Sequence, residues 1–200
     1  DALPILEADK QYEEAVVQFN KALSMDKSHT EIYKDISDVY EKKRDFPKAI
    51  EAYKNYLDEM KSSPDISDLF LYGRLNYYAA TDSAYQDKQP TYLAEADTIF
   101  AQVAVKVPDN YLGNFWRARV NSLRDPETTQ GLAKPYYEAA LSILEQKPDA
   151  TKSVLVECNS YLGYYYFVKE DYNQSKQYWN KILEIDPENE TATKALGGIK

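Results

Sequence analysis

The sequence predicts an all-α chain of antiparallel helix hairpins stacked side by side, and three observations carry that prediction. A small residue followed four positions later by an aromatic one recurs along the chain: Ala15 to Phe19, Ala49 to Tyr53, Ala96 to Phe100, Ala133 to Tyr137 and Ser175 to Trp179. The first two of these small residues stand 34 positions apart, the length of two helices with their turns. Pro64, Pro108, Pro126, Pro148 and Pro187, each beside an aspartate, punctuate the apolar-periodic stretches at places where helices must stop.

Each element follows from local signals. Tyr12, Ala15, Val16, Phe19 and Ala22 lie at helical spacing, and they predict the second helix of a hairpin whose first helix is cut short near Leu3 and Leu6. After the Met25-Asp26-Lys27 turn, a first helix runs through Tyr33, Ile36, Ser37 and Tyr40. Its partner starts at the N-cap Asp45, with Pro47 in the first turn, and carries Ala49, Tyr53 and Tyr56. The step from Ala49 to Ala96 is about a dozen residues longer than the repeat length, and the polar stretch from Thr81 to Pro90 accounts for the excess as a longer first helix and an enlarged turn. The next helix resumes at Leu93. Phe70, Gly73, Arg74, Leu75 and Asn76 are then answered by Phe115, Ala118, Arg119, Val120 and Asn121. Pro135 predicts a helix that starts late or kinks, because an interior proline lacks the backbone donor. Ala192, Ala195 and Leu196 mark a last short helix before Gly197-Gly198.

The pattern is densest in Tyr161 to Pro187, where Leu162-Gly163 is followed by Tyr166, Tyr172, Ser175, Trp179, Ile182 and Ile185-Asp186-Pro187. This order resembles the tetratricopeptide repeat. The resemblance runs from about Leu6 to Leu196. It implies a right-handed superhelical solenoid of roughly four and a half hairpins, with the first (A) helix of each lining a concave side and a short C-terminal capping helix. On it, residues 1–200 form a single array: a partial repeat over 1–29, repeats over 30–64, 65–109, 110–148 and 149–188, and the capping helix over 189–200. The enlarged turn of the second full repeat falls near 80–91.

Composition excludes several functions. A net charge of −9 with a pI near 4.8 argues against nucleic acid, whose phosphates need clustered Lys and Arg. No apolar run approaches the roughly 18 to 20 residues of a transmembrane helix. Cys158, the only cysteine, rules out an intrachain disulfide and a CxxC site. His29, the only histidine, sits in a polar turn with no activated nucleophile or carboxylate beside it. The carboxylates read as solvated helix faces, and there is neither a phosphate loop nor a GxSxG elbow. The expectation is a non-catalytic protein without cofactor or metal. The first residues read as the end of a helix whose start is missing, so the chain is expected to be a fragment or processed product, with the cytoplasm and the bacterial periplasm both open as compartments.

The repeat resemblance places the interaction surface on the A helices. It implies a protein-interaction scaffold that receives a peptide or helical segment, with Phe70, Arg74, Tyr77, Phe115, Trp116, Arg119, Tyr161 and Tyr164 as contacts. Aromatic rings flanked by arginine are the usual makings of a binding hot spot. One subclass clamps the C-terminal carboxylate of chaperones through Lys, Asn and Arg. This chain has Lys34 at one matching place but Asp38 where Asn is expected, and Phe70 and Leu71 where polar clamp residues stand, which departs from that use. Two alternatives stay open: stacking of glycan or another small ligand on the aromatic groove, and self-association of a structural module, with a homo-oligomer as its outcome.

Overall fold

The computed structural model describes residues 3–26, 28–60, 62–147 and 149–199, with side chains from residue 9 onward. Among the described residues there are ten α-helices and no strand. They divide into two compact units, Asp1–Ile99 and Phe100–Lys200.

The first unit opens with α1 (Leu3–Met25), an unbroken helix where the sequence predicted a shortened helix and a break near Leu3 and Leu6. It packs on α2 (Ile32–Lys42), which forms a tight hairpin with α3 (Phe46–Glu59). The hairpin turn is closed by Arg44 in the left-handed region, φ 58°, and by Asp45, whose carboxylate accepts from the Lys48 N–H. Ser37 Oγ donates to the Ala49 carbonyl at 2.8 Å, so a buried hydroxyl ties the two helices where the small Ala49 side chain lets them come close. Helix α4 (Ile66–Thr81) then packs on α3. Its start is a capping box in which Asp65 and Asp68 each accept the other's backbone N–H.

The predicted enlarged turn is itself ordered. Ser83–Lys88 form a 3-10 helix, and α5 (Gln89–Lys106) begins at once, earlier than the Leu93 start read from sequence. Asp82 explains the order: its carboxylate accepts from the Ala84 N–H and from Arg44 Nη2 at 2.6 Å, while Tyr85 Oη donates to the Arg44 carbonyl. The extra residues are thus pinned to the α2–α3 turn. Tyr85 adds an edge-on contact with Phe46.

The second unit begins within α5 at Phe100, which stacks on Trp116 of α6 (Leu112–Arg124). Gly113 lets α6 approach closely, since a Cβ there would stand 2.5 Å from the Ala104 backbone nitrogen. Helix α7 (Lys134–Leu144) starts late, with Pro135 in its first turn, where the missing N–H costs nothing. The turn before it is built around Asp125. That buried carboxylate accepts from the N–H groups of Gln130, Gly131 and Leu132, with Thr128 and Gly131 at positive φ.

Helices α8 (Lys152–Val168) and α9 (Tyr172–Ile185) form the second tight hairpin. Its turn repeats the first: Glu170 has φ 61° and Asp171 caps α9 through the Gln174 N–H. Here the hydroxyl sits on the opposite helix, Ser175 Oγ donating to the Gly163 carbonyl at 2.8 Å. Gly163 faces Trp179, and a Cβ would come within 2.7 Å of the indole. Helix α10 (Glu190–Gly198), capped by Asn189, covers Trp179 and Ile182 with Ala192 and Ile199.

Candidate functional site

The eight residues singled out from sequence fall in both units. In the first, α4 presents Phe70, Arg74 and Tyr77 as half-buried side chains. Arg74 reaches back to Glu41 of α2 at 3.5 Å and lies over the Tyr78 ring, 5.3 Å from its centre. Its Nε is buried and makes no hydrogen bond. Nearer the start of α4, Lys34 of α2 pairs with the buried Asp68 at 3.0 Å and lies 4.2 Å above the Tyr56 ring. Burial opposes the Lys34 charge, but Tyr56 and Asp68 outweigh it and raise the ammonium above its ordinary value. Lys34, the one match to the chaperone-tail clamp, is therefore committed to holding α2 on α4.

In the second unit the sequence reading needs correction. Phe115 and Trp116 are only 3% and 7% exposed, and they belong to the core: Phe115 meets Tyr137 edge-on and Trp116 stacks on Phe100. The cause is helix rotation. Both rings lie on the side of α6 that faces its neighbours, so their burial, not the groove, explains their size. Arg119 is held in turn. Its guanidinium grips Glu157 of α8 through Nε and Nη2, at 2.7 and 2.6 Å, and covers the Phe115 ring at 4.5 Å. Tyr137 Oη donates to the same carboxylate at 3.1 Å.

Tyr161 packs on Tyr137 with ring centres 4.7 Å apart, and burial pushes its phenol up to about 12. Tyr164, on a neighbouring face of the same helix, is 42% exposed, and Phe167 beside it is 41% exposed. With Trp179, Lys194, Ala195 and Ile199 these two rings surround an apolar hollow of about 220 Å³. Phe167 faces the groove side of its helix but was not among the contacts expected from sequence, and α10 was not expected as a wall. The signal available was the i, i+3 spacing of Tyr164 and Phe167.

The residues that could carry other chemistry do not assemble it. Cys158 is buried in the middle of α8, and desolvation pushes its thiol up to about 12, away from the reactive thiolate. His29 is exposed beside Asp26 at 3.3 Å. Among the described residues no group of three His, Cys, Asp or Glu side chains is placed to hold a metal, and no helix is long and apolar enough to cross a membrane.

The comparisons with known proteins agree with this architecture. The tetratricopeptide repeat family model matches residues 161–189. The crystal structure of the C-terminal part of a TPR repeat-containing protein from Cytophaga hutchinsonii is 31% identical, with a TM-score of 0.79 over 96% of this chain and 70% of that one. YrrB, a TPR protein described as having an unusual peptide-binding site, is 19% identical with a TM-score of 0.62, over 98% of this chain and 91% of that one. A thermophilic TPR protein of Thermus thermophilus is 16% identical with a TM-score of 0.54, over 97% and 93% of the two chains. The last two likenesses concern the fold alone. No curated protein matches the chain in sequence.

Proposed function

The chain belongs to the tetratricopeptide repeat family, whose fold serves protein–protein interaction, and from that premise we propose that it captures a peptide or helical segment of a protein partner on its A helices. In the first unit the contacts are Phe70, Arg74 and Tyr77. In the second they are Tyr161 and Tyr164, joined by Phe167. Phe115, Trp116 and Arg119 are left out of the contacts, since they are engaged by Tyr137 of α7, Phe100 of α5 and Glu157 of α8. The observation that carries the reading is the hollow under Tyr164 and Phe167. Two large rings stay in solvent around an apolar recess that fits one side chain of a partner, the arrangement of a buried anchor with a water-excluding surround. The reading is non-catalytic, as is general for this family.

A displayed library of random peptides selected on the immobilised chain tests it. Selected peptides should lose at least about tenfold in affinity to Tyr164→Ala, with unchanged helical circular dichroism. Peptides that bind this variant within about twofold of the parent chain would overturn the reading. Stacking of glycan or another small ligand on the aromatic groove, the alternative suggested by sequence, is less well supported, because Phe115 and Trp116 of that groove are buried in the core.

A further inference from the structure

One wall of the hollow at Tyr164 is the last turn of α10. Ile199, the C-cap of that helix, is 7% exposed and belongs to one apolar cluster with Trp179, Ile182 and Ala192. It lines the hollow together with Tyr164, Phe167 and Trp179. The two residues before it, Gly197 and Gly198, are exposed and complete the helix. Nothing in the packing asks for glycine at either place. A Cβ added at Gly197 or Gly198 would meet no atom within 4 Å, and neither residue has a positive φ. By contrast, close packing requires Gly163 and a left-handed turn requires Gly131.

What two adjacent glycines do supply is a weak helical turn. Without a Cβ, each loses more backbone freedom on becoming helical than any other residue, so the turn they form opens most readily. The start of α10 is held firmly instead: Asn189 Oδ1 accepts from the Ala192 N–H at 3.0 Å, and Ala192 is fully buried. The helix thus has an anchored first turn, a soft last turn, and beyond it a large apolar side chain seated in the Trp179 cluster. Building on the docking role given to the Tyr164 hollow, we propose that Ile199 is an intramolecular plug. In the free chain it covers the Trp179 side of the hollow, and it swings out on the Gly197-Gly198 hinge to admit a large apolar side chain of the partner. The partner's apparent affinity is then reduced by the fraction of molecules that stand open. As a fixed wall Ile199 would instead add contact to the partner, so the two roles act on binding with opposite signs.

The test takes peptides selected on the parent chain that lose affinity to Tyr164→Ala. They should bind Ile199→Ala at least about fivefold more tightly than the parent chain, and Gly197→Ala/Gly198→Ala, which adds no clash, at least about threefold more weakly. Weaker binding to Ile199→Ala, or affinities within about twofold of the parent for both variants, overturns the plug and leaves the docking site standing. Peptides indifferent to Tyr164→Ala overturn the docking site instead. A second measurement judges the hinge without any peptide. In Ile199→Cys the introduced thiol is reached by iodoacetamide only when the last turn opens, against the buried Cys158 as a silent background. Its alkylation should slow at least about threefold when Gly197→Ala/Gly198→Ala is added, and equal rates overturn the hinge. A saturating Tyr164-dependent peptide should speed the same reaction; protection of the thiol would mark Ile199 as a wall and overturn the plug.

Discussion

Arg119 and Glu157 face each other across α6 and α8 with two parallel hydrogen bonds of 2.7 and 2.6 Å, and this pair turns a residue marked for partner recognition into a strut. Arg74, its counterpart in the first unit, makes a looser 3.5 Å contact with Glu41 and lies over the Tyr78 ring. Removing the two arginines should therefore have unequal effects. Arg119→Ala should cost about 1 to 2 kcal/mol, because it strands a half-buried carboxylate beside Tyr137, whereas Arg74→Ala should cost less than about 1 kcal/mol. Urea unfolding of both variants measures the difference, and equal costs would contradict it.

Close approach at Gly163 predicts a second effect. A methyl group would meet the Trp179 indole at 2.7 Å, in a packed region where neither helix can retreat without breaking the Ser175 to Gly163 hydrogen bond. Gly163→Ala should destabilise the chain by about 1 to 3 kcal/mol. In the background of Trp179→Leu, which opens the space, the same change should be much milder. A thermal-denaturation double-mutant cycle reads the coupling.

Glu170 occupies a left-handed conformation that a side chain disfavours, and its own side chain is exposed. Glu170→Gly should leave stability unchanged or raise it by up to about 1 kcal/mol, the reverse of the usual glycine penalty. A loss above that size in chemical denaturation would show that the backbone there is not what limits the turn.

Asp125 gives the fold a dependence on acid. Burial opposes its charge, yet the N–H groups of Gln130, Gly131 and Leu132 outweigh it and hold the carboxyl below the ordinary value of 3.8. A group depressed in the folded state contributes stability above its unfolded value and loses it as pH falls through the folded one. The parent chain should thus lose this contribution progressively below about pH 4, while Asp125→Ala should lack it, by roughly 1 to 3 kcal/mol, throughout the neutral range. Melting temperatures taken across pH 3 to 7, roughly the span of carboxylate titration, compare the two.

Cys158 should be inert while the chain is folded. With its thiol pushed up to about 12 and no exposed surface, alkylation by iodoacetamide near pH 8 should run more than about a hundredfold slower than in denaturant. Mass spectrometry of the labelled chain reports it. Rapid native labelling would mean that α8 opens readily around Asn159 and Cys158.

Much of this was legible in the residue pattern. The small-to-aromatic steps located the hairpins because an α-helix repeats every 3.6 residues and only small residues tolerate close backbones, as Ala49 and Ser175 show. Asp45 as an N-cap and the late start at Pro135 followed from which backbone donors a helix start leaves unpaired. The site was much less legible. Phe115, Trp116 and Tyr164 look alike as aromatic residues on A helices, yet two are core and one stands in solvent.

The sequence by itself determined the all-α class, most of the hairpins and the family, since these rest on local periodicity, capping and proline chemistry that neighbouring residues decide, but not the unbroken α1 or the ordered stretch before α5. Tertiary structure alone decided which partner each polar group takes. Asp125 meets three backbone N–H groups, Arg119 meets a carboxylate 38 residues away, and Asn159 Oδ1 meets none, because hydrogen bonding and desolvation depend on what packing brings within about 3 Å, not on what the chain places next in line.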